Sequence, residues 1–272
     1  MADVLLVVLV RPDRAPALLN AALRMSDLVD CARINVLGVR EPNPIPPLSA
    51  EVLIDEAASV LAGRAREGER ITALKTAYDR WVGEAGERAA ITRWVEAEGS
   101  AAAVVGERGS RADMVIASAP AEDDHLVRQT FRTALFGTGR PILTVPANAA
   151  TAFGRCVVIA WRDDKQTARA VIPALRCLTR AEQVHVVTGM ADRVERPVMP
   201  RILVEHGVRA DLHVLPIGAG PFGQMLLDKA HALGADLLVM GAYAHSPLRE
   251  LILGGVTRYM LTHADLPILM RH

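Results

Sequence analysis

Arg111-Ala112-Asp113-Met114-Val115-Ile116 and Gly234-Ala235-Asp236-Leu237-Leu238-Val239 read as one pattern written twice. In each copy Ala-Asp leads into an aliphatic run of strand length. A helical stretch follows, and then a second shared phrase. It is Gly139-Arg140-Pro141-Ile142-Leu143-Thr144-Val145 in the first copy and Asp265-Leu266-Pro267-Ile268-Leu269-Met270 in the second. Two halves that end in the same order of elements imply a duplicated domain. The boundary falls near Ala147–Ala152, which gives domains 1–148 and 152–272.

On either side of these copies, short apolar runs alternate with longer amphipathic stretches, the pattern of βα units and a parallel sheet. Val4–Val10 is too uniformly apolar for a half-exposed strand and reads as a central strand buried on both faces. Asp13–Val29 has helical spacing and Ile34–Val39 is the next strand. Glu41–Pro47 holds four prolines and reads as a rigid loop. From Ser49 to about Arg88 the pattern is helical, as one long helix or as two broken near Gly63 or Gly68. Its mixed charge reads as a solvated face, with a partner-binding surface as the alternative. Ile91–Val95, Met114–Ser118 and Pro141–Val145 complete the strands of the first half, with helices at Ser100–Glu107 and His125–Phe136. In the second half the strands are Cys156–Trp161, Val184–Thr188, Ala210–Pro216, Leu237–Met240 and Pro267–Met270. The helices between them are Lys165–Leu178, Pro200–His206, Gln224–Leu233 and Leu248–Thr262.

The chain has 272 residues, 51% of them hydrophobic, enough to bury real cores. Lys plus Arg equals Asp plus Glu at 31 each, so no global basic field is present to hold nucleic acid. At 4% aromatic, it also lacks a base-stacking platform. Cys31, Cys156 and Cys177 are an odd number without CxxC spacing, which points to reduced thiols in a cytoplasmic protein. No apolar run approaches the ~20 residues that span a bilayer, so no membrane partner is expected.

In open parallel sheets, ligands sit outside the C-terminal ends of the strands. The richest such loop runs from Gly241 through Ala244, His245 and Ser246 into a helical pattern, followed by Gly254-Gly255-Val256-Thr257. A glycine after a strand lets the backbone approach a ligand, and a glycine pair opening a helical turn exposes amide donors suited to phosphate. Thr257 adds a hydroxyl. The plain alternative is punctuation: Gly241 ends a strand and Gly254-Gly255 breaks a helix. In the first half, Ala119–His125 offers acids and a proline in place of glycine, and negative charge there repels phosphate. Asp123-Asp124-His125 is better read as a helix cap than as a metal cluster. His185 and His213 fall on strand patterns, where hydrogen bonds usually satisfy them. Trp81 and Trp94 read as packing residues. No HExxH, GxSxG or P-loop lysine motif occurs, so no catalytic residue is assigned.

The run from Ala235 to Met270 resembles the C-terminal signature of the universal stress proteins: Gly, two residues, Gly, nine residues, then Gly followed by Ser or Thr. Gly241 fills the first position and Gly254 the third; Ala244 replaces the second glycine, and Gly255 stands where Ser or Thr is expected. The resemblance is specific in the second half and architectural in the first. It implies two tandem Rossmann-like (adenine nucleotide alpha hydrolase-like) domains, each a five-stranded parallel sheet in the order 3-2-1-4-5 flanked by helices. It also implies that the two fifth strands pair, making an intramolecular pseudo-dimer compatible with a further homo-oligomer. An ATP or AMP site, with magnesium accompanying ATP, would lie after strands one, two and four of the second half. Strand one supplies Trp161, Arg162 and Asp163, with Arg162 where the family usually has an acid; strand two supplies Val187 and Thr188. Strand four supplies Gly241, Ala244 and His245, then Gly254, Gly255, Val256 and Thr257. The implied role is a stress-response or regulatory module, and slow ATP hydrolysis is the most enzymatic reading. The alternative is a non-nucleotide interaction protein acting through the pseudo-dimer and the helical insert.

Overall fold

The computed structural model describes residues 3–42, 53–120, 124–150, 152–191, 197–242 and 255–272, with the backbone alone at 53–60 and 166. In the first half, β1 (Asp3–Leu9) leads through a 3-10 turn (Pro12–Arg14) to α1 (Ala15–Val29), β2 (Cys31–Arg40) and α2 (Leu53–Ala85). A second 3-10 turn (Gly86–Ile91), β3 (Thr92–Glu98), α3 (Ala101–Ser110), β4 (Met114–Ser118), α4 (His125–Arg132) and β5 (Ile142–Val145) follow. The second half holds β6 (Cys156–Trp161), α5 (Lys165–Arg180), β7 (Gln183–Met190), α6 (Arg201–Glu205) and β8 (Asp211–Pro216). It ends with α7 (Phe222–Ala232), β9 (Leu237–Gly241), α8 (Gly255–His263) and β10 (Ile268–Arg271).

Among the described residues ten strands form one sheet, in the order β3-β2-β1-β4-β5-β10-β9-β6-β7-β8. Either half alone has the order 3-2-1-4-5 expected of it. Every described pairing is parallel except β5 with β10, which is antiparallel and sets Leu143 opposite Leu269. The expected contact between fifth strands is therefore present, and it merges two five-stranded sheets into one.

Strand alternation explains the layers. Leu5, Val7 and Leu9 of β1 point to one face, where they share a core with α1, α2 and α5. Leu6 and Val8 point to the other, covered by α3, α4, α7 and α8. Both cores run through the two halves without interruption.

The long insert is one helix of 33 residues; neither Gly63 nor Gly68 breaks it. Glycine in a helix interior costs only about 1 kcal/mol relative to alanine, and tertiary packing outweighs it. Ile71, Leu74, Tyr78 and Trp81 are buried against the sheet, and the Trp81 indole donates to Asn20 Oδ1 at 2.9 Å. Tyr78 lies beside both Trp81 and Trp94. The insert is thus half solvated and half core. The expected helix at His125–Phe136 turns α-helical only to Arg132 and finishes in a π turn at Thr133–Gly137. Most of the proline loop, 43–47, lies outside the described residues, as does 248–254 of the helix expected at Leu248–Thr262. Cys31, Cys156 and Cys177 are free thiols, and burial pushes Cys177 up to about 12. Among the described residues no helix is long and apolar enough to cross a membrane.

Candidate functional site

The C-terminal ends of β6, β7 and β9 lie side by side, because β6 pairs in parallel with both neighbours. The register sets Trp161 opposite Thr188 and Ala160 opposite both Val187 and Met240. Trp161, Thr188 and Gly241 therefore come to one edge of the sheet, at its topological switch point, although they are up to 80 residues apart in sequence. A helix joining two parallel strands starts at the C-terminal end of the first. The Gly255 end of α8 consequently belongs to this same edge.

Each expected residue has a distinct environment. Val187 is buried in the core. Thr188 and Thr257 are also buried. Trp161 and Gly241 are half-exposed, as is Val256, while Arg162, Asp163 and Gly255 are exposed. Among the described residues, nothing lies within 4 Å of a side chain built at Gly255. Ala244, His245 and Gly254 lie outside the described residues.

The acids after β6 divide their work. Asp164, not Asp163, caps α5: its Oδ1 accepts the Thr167 backbone N–H at 2.8 Å. Arg162 donates its Nε–H to the other oxygen of the same carboxylate. Burial pushes the Asp164 carboxyl up, but the Thr167 N–H and the Arg162 guanidinium outweigh it and hold the group below its ordinary value. The guanidinium at the mouth is thereby partly neutralised by its own neighbour.

The structure adds a residue that the motif did not indicate. His272 Nδ1 lies 3.1 Å from the carbonyl of Ala242, the first residue after β9, and donates to it. Phe136, from the π turn of the first half, meets the His272 ring edge-on at a centroid distance of 4.9 Å. Arg271 donates to the Gly139 carbonyl at 3.1 Å. The first half thus borders the mouth of the second, an arrangement that follows from the β5–β10 contact and has no local sequence signal.

At the equivalent edge of the first half, the insert bonds the strand ends directly. Arg70, on α2, donates to the carbonyls of Val10 and Val39, just beyond β1 and near the end of β2. Glu67 accepts from Arg70 at 2.6 Å and from the Glu41 backbone N–H at 2.8 Å, while Glu41 accepts the Ala101 N–H at 2.9 Å. The chain's own insert thus holds the strand ends that a ligand would approach. Asp124 caps α4 by accepting the Val127 N–H at 3.0 Å, as expected of an acid at that place. His185 and His213 hydrogen-bond to each other, but His185 Nε2 has no partner among the described residues, which corrects the expectation that both are satisfied.

The universal stress protein family model matches residues 212–272, from within β8 through α7, β9, the glycine loop, α8 and β10. No curated protein matches the chain significantly. Among solved structures, a universal stress protein from Archaeoglobus fulgidus DSM 4304 superimposes with a TM-score of 0.68 at 14% identity, covering 99% of this chain and 96% of its own. A putative universal stress protein from Pseudomonas aeruginosa UCBPP-PA14 gives 0.59 at 16% identity, over 99% of this chain and 93% of that one. A functionally unknown protein from Pseudomonas aeruginosa PAO1 also gives 0.59, at 15% identity, with coverages of 99% and 92%. Over residues 212–272 the chain matches the universal stress protein family, and over nearly its whole length it has the fold of solved structures that carry that name.

Proposed function

We propose that this chain is a tandem universal stress protein in which domain 152–272 binds an adenine nucleotide, ATP or AMP, and domain 1–148 serves as its structural partner. In this reading it is a cytoplasmic stress-response or regulatory module without enzymatic activity beyond slow hydrolysis of ATP. The supporting observation is the contrast between the two mouths. The second half brings Trp161, Thr188 and Gly241 to one edge beside Gly255, with no side-chain hydrogen bond to these three among the described residues, while Arg70 bonds the strand ends of the first. The residues suit an adenine nucleotide: backbone and hydroxyl donors for phosphate, half-exposed Trp161 for the nucleoside, and one guanidinium. Magnesium would accompany ATP through the phosphates.

Calorimetry of the full chain with ATP and with AMP tests this reading. Saturable binding below millimolar concentration is expected, together with nucleotide released from freshly purified, denatured protein. No heat at millimolar nucleotide rejects it.

A second reading is favoured by the Arg162–Asp164 pair, which reduces the charge available for phosphate. In it the mouth is empty of nucleotide, and the outer face of α2, where Leu61 is 65% exposed, contacts a protein partner. Loss of a co-purifying protein on Leu61→Glu, with no nucleotide in the wild-type preparation, is its expected result.

A further inference from the structure

β7 and β8 form the outer edge of the second half, so β8 has only one strand neighbour in the sheet. The register sets His185 opposite Asp211 and Val187 opposite His213. The two imidazoles are therefore diagonal neighbours on one face of the sheet. They touch: His213 Nε2 lies 3.2 Å from His185 Nδ1. Val187 of the same face packs in the core beneath α7, and His185 is itself buried.

A hydrogen bond between two ring nitrogens needs one to carry a proton and the other to lack it. The pair therefore holds only while at least one ring is neutral. His185 Nε2 is buried with no partner among the described residues, so an added proton places charge on a ring that has nowhere to direct its second N–H. The charged groups facing the pair do little to help. Asp211 of β8 has its carboxylate 3.7 Å from His185 Nδ1 but is 80% exposed, where water screens it. Lys229 of α7 acts on His213 with the opposite sign. From β6 the neighbour of His185 is Val158, which is apolar. The three polar residues do not make a metal cage; among the described residues no group of three His, Cys, Asp or Glu does.

We propose that the His185–His213 pair is an acid-sensitive latch, in which protonation of both rings breaks the shared hydrogen bond and releases edge strand β8 from β7. Burial, then the charges of Lys229 and His185, hold the His213 imidazole below its ordinary value, while Asp211 opposes them. The sign follows from linkage. The open form protonates His213 near the free value of about 6.5, and the latched form does so only at lower pH. The latch is at full strength above that value and weakens as pH falls through it. Movement of β8 would reach further, because β8 feeds α7 and α7 packs tightly on α8. A Cβ built at Gly223 would lie 2.7 Å from Tyr259 Cβ. The proposal does not depend on nucleotide binding.

Hydrogen exchange of the full chain, read by mass spectrometry at pH 7.5, 6.5 and 5.5 and corrected for intrinsic exchange, tests the latch. Opening of β8 is expected to rise up to about tenfold per pH unit for each extra proton bound, with β1 unchanged over the same range. His213→Gln keeps a hydrogen-bonding side chain that does not titrate and is expected to flatten the profile. A β8 profile that is flat in the wild type, or equally steep in His213→Gln, overturns the proposal. Should His213→Gln fail to fold, an NMR titration of the wild-type histidines decides instead: depression of His213 supports the latch, and titration of both rings at or above about 6.5 overturns it.

Discussion

The Asp113 carboxylate accepts the Val4 backbone N–H at 2.9 Å, tying the entrance of β4 to the entrance of β1 across 109 residues. The return bond runs from the Asp113 N–H to the Val4 carbonyl at 2.8 Å. Asp236 repeats the device in the second half and extends it. Its carboxylate accepts from the N–H groups of Gly154, Arg155 and Cys156, at 2.8 to 3.2 Å, and its own N–H donates to the Cys156 carbonyl at 2.9 Å. The Ala-Asp phrase written twice in the sequence is thus a clamp between the two central strands of each half.

The clamps differ in strength, and substitution should expose it. A hydrogen bond to a charged acceptor contributes about 1.5–3 kcal/mol, less when exposed. Asp113→Ala removes one such bond and should cost about 1 kcal/mol. Asp236→Ala strands three donors and should cost about 2 kcal/mol or more by the same reasoning. Urea unfolding of the two variants checks the order, and equal midpoints would contradict it.

Thr144 offers the opposite case. It is buried in β5 opposite Ile268, and its Oγ1 has no partner among the described residues. Replacing an unsatisfied buried hydroxyl by a methyl of nearly the same shape removes a desolvation cost. Thr144→Val is therefore expected to stabilise the chain by about 1 kcal/mol. A lower melting temperature than wild type would show that the hydroxyl is used.

Arg70→Ala should loosen the first half at its mouth. It frees the Val10 and Val39 carbonyls and leaves Glu67 half-buried without its cation, a loss of about 2 kcal/mol or more. Burial pushes the Glu67 carboxyl up, but Arg70 and the Glu41 N–H together pull it below its ordinary value. A carboxyl depressed on folding contributes stability that is present above the unfolded value of about 4.3 and lost as pH falls through the folded one. Melting curves should show part of the acid sensitivity below about pH 4.5 disappearing in Arg70→Ala. An unchanged acid limb would place that sensitivity elsewhere.

Gly255→Ser tests the nucleotide reading from the side of gain. Among the described residues nothing lies within 4 Å of a side chain there, so the fold should be unaffected. The added hydroxyl is the donor that the family resemblance expects at this place, worth about 1 kcal/mol or roughly a fivefold tighter dissociation constant for ATP. Binding unchanged within error in calorimetry would remove that hydroxyl from the argument.

Much of the candidate site was legible before any coordinates. Strand ends at Trp161, Thr188 and Gly241 follow from the alternation of apolar runs, and their adjacency follows from the strand order implied by the resemblance. Val187 and Thr188 are both buried, because helices cover both faces of β7, which the sequence pattern of one strand does not reveal. The exposed Asp163 and the capping Asp164 are neighbours that only the start of α5 tells apart.

What the sequence determined by itself is local and periodic: which stretches are strands or helices, that the Ala-Asp and Pro-Ile-Leu phrases recur, and where glycine punctuates. Hydrophobic spacing and turn chemistry act over a few residues, so they can be read in one pass along the chain. Tertiary structure decided the rest: the Arg70 seat at Val10 and Val39, the His185–His213 contact, and His272 at the mouth beside Ala242. Each of these joins residues far apart in the chain through side-chain directions that exist only once the strands have settled into register.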